Sequence, residues 1–171
     1  MLRQLILLLA SVTPSLGADV VPHPCVSAPV VAPVIDPYRP PACRWCAGNR
    51  GLDYGTTPGM TVRSAAGGIV DFAGSVAGVR YVVVAHGGGV RTTYGRLGAV
   101  SVRAGEPVRR GTAVGTTLGS LHFGVRLGAR YADPADFLVR VVRRARLVPL
   151  EGRPRPSRRT GLTCTAREGR R

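Results

Sequence analysis

Short apolar runs separated by glycines constrain the fold of this chain more than any other feature. They are rich in valine, threonine and aromatic residues, which favour β-strands. The runs lie at 68–73, 80–85, 90–94, 107–108, 112–114 and 121–126. The glycines that bound them include those at 67–68, 87–89 and 128. Strands of this length, separated by glycine turns, predict an all-β sandwich or compact barrel.

One helix is predicted after the last of these runs. Asp133 can cap its first turn, and Pro134 suits the first helical position, where no backbone N–H is needed. Its apolar face would comprise Leu138, Val141, Val142 and Ala145. Because arginines fall on the opposite face, we expect the apolar face to pack on the sheet.

The two ends of the chain differ in composition from this core. Residues 1–17 combine a basic start, an apolar run at 5–10 and small residues near a cleavage site, which predicts a signal peptide. The apolar run is too short to span a bilayer, and no cysteine follows it directly, so we expect an exported protein without a transmembrane or lipid anchor. Residues 18–47 form a proline-rich arm, predicted to be extended and to pack little core of its own, so that it leads into the domain.

The positive charge is concentrated after the core. The chain has a net charge of +15 and contains 24 arginines but no lysine, a bias expected of a GC-rich genome. Eleven of those arginines follow residue 139, so residues 140–171 are predicted to be the end of the helix and an arginine-rich tail. The tail is either a solvated segment or one that binds anionic cell-wall polymers or lipid head groups. Nucleic-acid binding is not expected, because the chain is exported, only 5% aromatic and without a base-reading motif.

Four cysteines indicate disulfide bonds in an exported protein. They are Cys25, Cys43, Cys46 and Cys164, and four cysteines allow three pairings. The Cys43-Arg-Trp-Cys46 segment could instead be a redox or metal-binding pair, although no βαβ pattern surrounds it. Structural disulfides are the interpretation that the compartment favours.

Two short segments each look like half of a zinc-hydrolase signature. Gly48-Asn-Arg-Gly-Leu-Asp53 would read His-x-Gly-x-Asp in an intact site, and Gly119-Ser-Leu-His122-Phe-Gly124 would contain His-x-His. The chain keeps Asp53 and His122 but has Asn49 and Ser120 in place of histidines. A catalytic zinc centre needs three protein ligands and an open position for water. The sequence therefore leaves open whether this is an enzyme or an enzyme scaffold with another use.

Several further motifs follow in a fixed order between and around these halves. They are Pro58-Gly-Met-Thr-Val62, Ala85-His-Gly-Gly-Gly89, Val90-Arg-Thr-Thr-Tyr94, Val102-Arg-Ala-Gly105 and Tyr131-Ala-Asp133-Pro134. With the two half signatures, residues 48–138 resemble the lysostaphin-type (LytM) zinc endopeptidases, which cut peptide cross-links in bacterial cell walls. The resemblance implies a twisted antiparallel sheet core, here over residues 48–139, with a groove on one face.

The resemblance also implies roles for particular positions. The family's three zinc ligands fall at Asn49, Asp53 and His122, and its two auxiliary histidines fall at Arg96 and Ser120. The amide oxygen of an asparagine is a hard, uncharged donor that suits zinc poorly. If zinc binds weakly or not at all, Asp53 and His122 would form a hydrogen-bonded pair that Asn49 can join.

Other residues are candidates for a third ligand. His86 lies at the end of a predicted strand, and His23 lies in the proline-rich arm. Cys43 or Cys46 would have to be a free thiolate, which oxidation outside the cell opposes. None of these residues falls at a ligand position of the family.

Three hypotheses about function follow. In the first, the protein is an exported, catalytically impaired LytM-like domain that binds peptidoglycan or regulates a cell-wall hydrolase. In the second, it is an active zinc endopeptidase that cleaves peptidoglycan cross-links with an atypical third ligand. In the third, it is a structural wall-binding or partner-binding protein whose groove has no role.

Overall fold

The computed structural model describes residues 25–43, 45–141 and 162–163. The predicted signal peptide, His23, Cys164 and nearly all of the arginine-rich tail lie outside this range. Its strands are β1 (Val34–Asp36), β2 (Leu52–Gly55), β3 (Thr61–Arg63), β4 (Gly68–Val76), β5 (Val79–Ala85), β6 (Val90–Val100), β7 (Pro107–Val108), β8 (Ala113–Leu127), β9 (Arg130–Ala132), β10 (Arg140–Val141) and β11 (Leu162–Thr163). One short α-helix, α1, spans Pro134–Phe137.

The strands form one large antiparallel sheet, which confirms the predicted fold class. Its order is β1-β2-β8-β6-β5-β4-β7, with β3 and β9 also paired to β8, while β10 and β11 form a separate pair. The predicted runs at 112–114 and 121–126 belong to the single strand β8, which has 15 residues. One edge of β8 pairs with β6 and the other with β3, β2 and β9 in turn, so β8 holds the sheet together.

The hydrophobic core lies on one face of this sheet. Successive side chains of a strand point to opposite faces. In β8, Leu121 and Phe123 are fully buried, and the ring of Phe123 packs 5.5 Å from the ring of Tyr94 in β6. In β2, Leu52 and Tyr54 are buried in the same core. The residues between them, His122 in β8 and Asp53 in β2, therefore point to the opposite face.

The described part of the proline-rich arm packs on the sheet. Val26 and Val30 belong to the core cluster, and Val26 is fully buried. β1, within the arm, pairs with β2. Prolines prevent a long strand here but leave single apolar side chains free to fill the core.

The predicted helix begins as expected but is shorter. The Asp133 side chain accepts a hydrogen bond from the Ala135 N–H at 2.9 Å, which caps the first turn. The helix ends at Phe137, and Leu138 is already extended, with φ −68° and ψ 133°. The N–H of Val139 bonds the carbonyl of Val26 at 2.9 Å, so the arm takes the backbone group that a longer helix would use.

The prediction that the helix continues through Val141 is therefore wrong, because Arg140–Val141 is strand β10. Val142 and Ala145, which were predicted on the same helical face, lie outside the described residues. Over the described ranges, no helix is long and apolar enough to cross a membrane.

Cys43 and Cys46 form a disulfide bond with each other. Cys25 is also disulfide-bonded. Since both sulfurs of the Cys-x-x-Cys segment are oxidised, neither is a thiolate that could bind a metal ion.

Candidate functional site

The structure brings Asp53 and His122 together on the face of the sheet opposite the core. The two residues are direct cross-strand partners in β2 and β8. Nδ1 of His122 lies 2.7 Å from Oδ1 of Asp53, within hydrogen-bond distance. Asp53 and His122, the two residues that keep the family's ligand identity, are therefore hydrogen-bonded to each other.

Arg96 forms a hydrogen bond with the other oxygen of the Asp53 carboxylate. Its guanidinium donates to Oδ2 of Asp53 at 2.7 Å and to the hydroxyl of Ser120 at 3.3 Å. Arg96 sits where the pairing of β6 with β8 shifts register, between Gly95 and Leu97, and its φ is 61°. A non-glycine residue in this left-handed conformation costs about 1–2 kcal/mol. The bulge turns the Arg96 side chain onto the site, where it forms an ion pair with Asp53.

These contacts determine the charge of Asp53. Burial alone would raise the pKa of this carboxyl, but hydrogen bonds from His122 and Arg96 and their charges outweigh it, so its pKa lies below the usual value. Asp53 is accordingly an ionised carboxylate at neutral pH. The cation that balances its charge is the guanidinium of Arg96.

Asn49, at the first ligand position of the resemblance, has a structural role. Its Oδ1 accepts a hydrogen bond from the Gly51 N–H at 3.2 Å, and its Nδ2 donates to the carbonyl oxygen of Asp36 at 3.2 Å. Its backbone forms a two-way bridge with Arg39, with both hydrogen bonds at 2.9 Å. The amide thus joins the turn before β2 to the arm, and it does not join the Asp53–His122 pair.

The residues at this site do not fit the zinc ion that the resemblance implies. Zinc would need three donors and an open position. Here both oxygens of Asp53 are engaged, the Asn49 amide is engaged elsewhere, and a guanidinium lies beside the carboxylate, where it would repel a divalent cation. Within the described ranges, no group of three His, Cys, Asp or Glu residues is placed to hold a metal ion.

His86, another candidate for a third ligand, lies away from the site. His86 is buried, with Nδ1 2.8 Å from the carbonyl of Gly67 and Nε2 2.8 Å from the hydroxyl of Thr92. Burial lowers the pKa of His86 more than its bond to Gly67 raises it, so the ring is a neutral structural residue. His23 lies outside the described residues.

An open groove of 480 Å³ runs over the Asp53–His122 pair. Its lining residues are Asp36, Gly48, Asn49, Arg50, Asp53, Tyr81, Thr93, Arg96, His122, Gly124, Arg126 and Tyr131. The sequence did not single out Asp36, Arg50, Tyr81 or Arg126, and Tyr131 stood out only as part of a motif and not as a residue of the site. A signal for Arg126 was present, since His122, Gly124 and Arg126 alternate along one strand and must share a face. The pairing of Arg126 with Tyr131 in β9 needed the tertiary structure.

Comparisons with known proteins agree with this fold. The model of Peptidase family M23 matches residues 47–134. An uncharacterized protein of Mycobacterium tuberculosis is 34% identical over 140 residues, covering 68% of this chain and 56% of the relative. A lipoprotein NlpD/LppB homolog of Pseudomonas aeruginosa is 32% identical over 102 residues, covering 54% of this chain and 34% of the relative.

Among solved structures, Csd3 of Helicobacter pylori superimposes with a TM-score of 0.61 at 26% identity, covering 75% of this chain and 36% of that chain. The chain thus spans little more than half the length of the M. tuberculosis relative and less of the others. The family match covers both half signatures and every lining residue of the groove except Asp36, which lies in β1 before the matched range. This protein belongs to peptidase family M23.

Proposed function

We propose that this protein is an exported, catalytically impaired member of the family that binds peptidoglycan, or a cell-wall hydrolase, through its groove. The observation that carries the proposal is the engagement of both oxygens of Asp53, one by Arg96 and one by His122. Export rests on the sequence of residues 1–17. A place at the cell wall is supported by membership of the family and by the relative named as a lipoprotein.

Loss of catalysis follows from the chemistry of the site. Peptide hydrolysis of this type depends on a metal ion that activates water and polarises the scissile carbonyl. The guanidinium of Arg96 can neutralise the Asp53 carboxylate. Unlike a metal ion, however, it cannot coordinate a water molecule and lower the pKa of that water. Binding in the groove needs neither function, so it can persist without hydrolysis.

The test is to measure zinc, hydrolysis and wall binding together in the purified mature protein. We expect zinc well below one equivalent by elemental analysis, no release of soluble fragments from purified peptidoglycan, and co-sedimentation of the protein with that peptidoglycan. One equivalent of zinc with fragment release would overturn the proposal and favour an active endopeptidase. In that case His122→Ala should abolish metal binding and hydrolysis together.

A second comparison separates the groove from the arginine-rich tail. Asp53→Ala should weaken co-sedimentation if the groove carries binding, because the substitution leaves Arg96 and His122 without their common partner. Binding that is unchanged by Asp53→Ala but abolished by raised salt would indicate electrostatic attachment through the tail. That result would favour the hypothesis in which the groove has no role.

A further inference from the structure

A disulfide bond closes a short turn in the arm, at the tip of a loop that reaches the groove. The loop begins and ends at the two-way backbone bridge between Arg39 and Asn49, whose hydrogen bonds are both 2.9 Å long. At its tip the N–H of Cys46 donates to the carbonyl of Cys43 at 3.2 Å, and the two sulfurs are bonded to each other. The groove is lined by Gly48 and Asn49 at the end of this loop but by neither cysteine.

This disulfide bond contributes little to holding the fold together. A cross-link stabilises a protein mainly by closing a loop in the unfolded chain, and the effect grows with the number of residues enclosed. Cys43 and Cys46 are only three residues apart in the sequence. The ends of the larger loop are already held by the Arg39–Asn49 bridge and by the Asn49 side chain, which donates to the carbonyl of Asp36. The bond between the sulfurs can therefore break without opening the loop.

The pair of cysteines is open to an incoming thiol. Cys43 is exposed and Cys46 is half-buried. Trp45, which lies between them in the sequence, has 86% of its surface exposed. Exchange requires a thiolate to approach one sulfur of the bond, and exposed disulfides are the more easily reduced ones. Cys43 is therefore the more accessible member of the pair, and Trp45 offers apolar surface beside it to a partner.

The backbone of the loop would keep the two thiols side by side after reduction. The Cα atoms of Cys43 and Cys46 are 4.9 Å apart. The turn hydrogen bond between these two residues and the Arg39–Asn49 bridge hold this distance, and neither involves a sulfur atom. A mixed disulfide formed on one cysteine can therefore be attacked at once by the thiol of the other. The loop thus supports repeated opening and closing of the bond.

We propose that the Cys43–Cys46 pair is a thiol–disulfide exchange site that oxidises a dithiol of a partner protein. A thiolate of the partner attacks the sulfur of Cys43, which forms a mixed disulfide and releases the sulfur of Cys46 as a thiolate. The second thiolate of the partner then attacks the partner's own sulfur in the mixed disulfide, which forms the partner's disulfide and releases the sulfur of Cys43. Two electrons and, through the solvent, two protons pass from the partner dithiol to the pair, so the partner is oxidised and the pair is reduced.

The experiment mixes the full mature protein with an equal amount of a reduced peptide, acetyl-Cys-Ala-Ala-Cys-amide, in the absence of oxygen. Alkylation and peptide mapping then show which cysteines carry free thiols. We expect at least about tenfold more oxidised peptide than with the Cys43→Ser/Cys46→Ser variant, and an equal gain of free thiols at Cys43 and Cys46. Cys25 should remain disulfide-bonded, because its neighbour Val26 is fully buried in the core.

Two single variants test the order of attack. Cys46→Ser leaves a free thiol at Cys43, and Cys43→Ser leaves one at Cys46. Each variant is mixed with a single-cysteine peptide that carries thionitrobenzoate on its sulfur, and release of the coloured thionitrobenzoate gives the rate of exchange. Cys46→Ser should react at least about tenfold faster than Cys43→Ser, because Cys43 is the exposed member of the pair.

A structural disulfide would give different results. The Cys43→Ser/Cys46→Ser variant should keep the thermal midpoint of the wild type, because the Arg39–Asn49 bridge remains. A marked loss of stability in this variant, or a folded wild-type protein that does not oxidise the dithiol peptide, would overturn the inference. Equal rates for the two single variants would overturn the assignment of Cys43 as the attacked sulfur. Zinc content, hydrolysis and sedimentation with peptidoglycan test the groove separately, since neither cysteine lines it.

Discussion

Arg96 donates to Oδ2 of Asp53 at 2.7 Å, from a bulge in the strand next to the one that carries His122. In the family resemblance, position 96 is an auxiliary histidine and position 53 is a zinc ligand. Here the two side chains form an ion pair, in which a fixed organic cation balances the carboxylate. The pair gives the substitution at position 96 a physical consequence that the sequence did not indicate, because the sequence showed only that Arg96 stands at an auxiliary position and Asn49 at a ligand position.

Removing this cation should be necessary to recover a metal site. We expect Asn49→His alone to bind zinc weakly, because Arg96 still holds Asp53 and repels a divalent ion. The double variant Asn49→His/Arg96→Asn should bind zinc at least about tenfold more tightly, since asparagine removes the charge and tolerates the left-handed backbone at this position. Zinc affinity measured by competition with a chromogenic chelator checks this.

The matched control is Asn49→His/Arg109→Asn, which makes the same change in net charge away from the groove. It should bind zinc no better than Asn49→His. If Asn49→His alone already holds zinc as tightly as the double variant, the Arg96–Asp53 ion pair does not exclude the metal.

The buried His86 should make stability depend on pH near neutrality. Burial lowers the pKa of His86 below its usual value of 6.5, so below pH 6.5 the unfolded chain binds a proton that the native protein does not. The contribution of His86 to the free energy of unfolding is therefore fully present above pH 6.5. It falls as the pH drops below 6.5, by up to about 1.4 kcal/mol per pH unit. Urea denaturation from pH 8 to pH 5 measures the slope.

His86→Gln should be less stable at pH 8 but show a shallower slope, because glutamine does not titrate. The difference between the two slopes isolates His86 from the other two histidines of the chain. Identical slopes would mean that another group produces the dependence.

Two buried tyrosines should respond oppositely to loss of their hydroxyls. The hydroxyl of Tyr54 is buried with no hydrogen-bond partner within the described ranges, and burial raises its pKa to about 12. The hydroxyl of Tyr94 accepts from the Ala65 N–H at 2.7 Å and contacts that of Thr92 at 3.0 Å. We expect Tyr54→Phe to be neutral or stabilising by about 1 kcal/mol, and Tyr94→Phe to cost about 1–3 kcal/mol.

Denaturant midpoints of the two variants beside the wild type provide the measurement. Each variant controls for the other, because both lose one oxygen from a buried ring. Equal destabilisation by the two substitutions would contradict the assignment of hydrogen bonds.

Gly51 sets the distance between the turn before β2 and the strand that carries His122. A Cβ atom at this position would lie 2.3 Å from the carbonyl oxygen of Phe123 and 2.8 Å from Cε1 of His122. Gly51→Ala should therefore push β2 away from β8 and destabilise the protein by about 1–3 kcal/mol. At Gly119, in the same strand β8, an added Cβ would meet nothing within 4 Å, so Gly119→Ala should cost less than about 1 kcal/mol.

Thermal denaturation of the two alanine variants compares them directly, and the His122 ring resonances in NMR spectra report the local change. Gly51→Ala should shift those resonances and Gly119→Ala should not. A Gly51→Ala protein as stable as Gly119→Ala would show that the strands separate without cost.

The sequence by itself determined the fold class, the five consecutive strands β4 to β8 and the capped start of the helix, because each depends on local patterns. Glycine-bounded apolar runs predict strands, and Asp133 with Pro134 predicts a helix start. The half signatures also placed Asp53 and His122 at one site. The length of the helix and the packing of Val26 could not be predicted, because both depend on a hydrogen bond between Val26 and Val139, far apart in the chain.

The chemistry of the site was decided only by the tertiary structure. Whether Asp53 faces a metal ion or a guanidinium depends on the bulge at Arg96, where a shift in strand pairing turns one side chain toward another 43 residues away. Asn49 reads in the sequence as a lost ligand, yet in the fold its amide holds the turn before β2 against Asp36. Contacts of this kind arise from the register between strands, which no local pattern in a single sequence specifies.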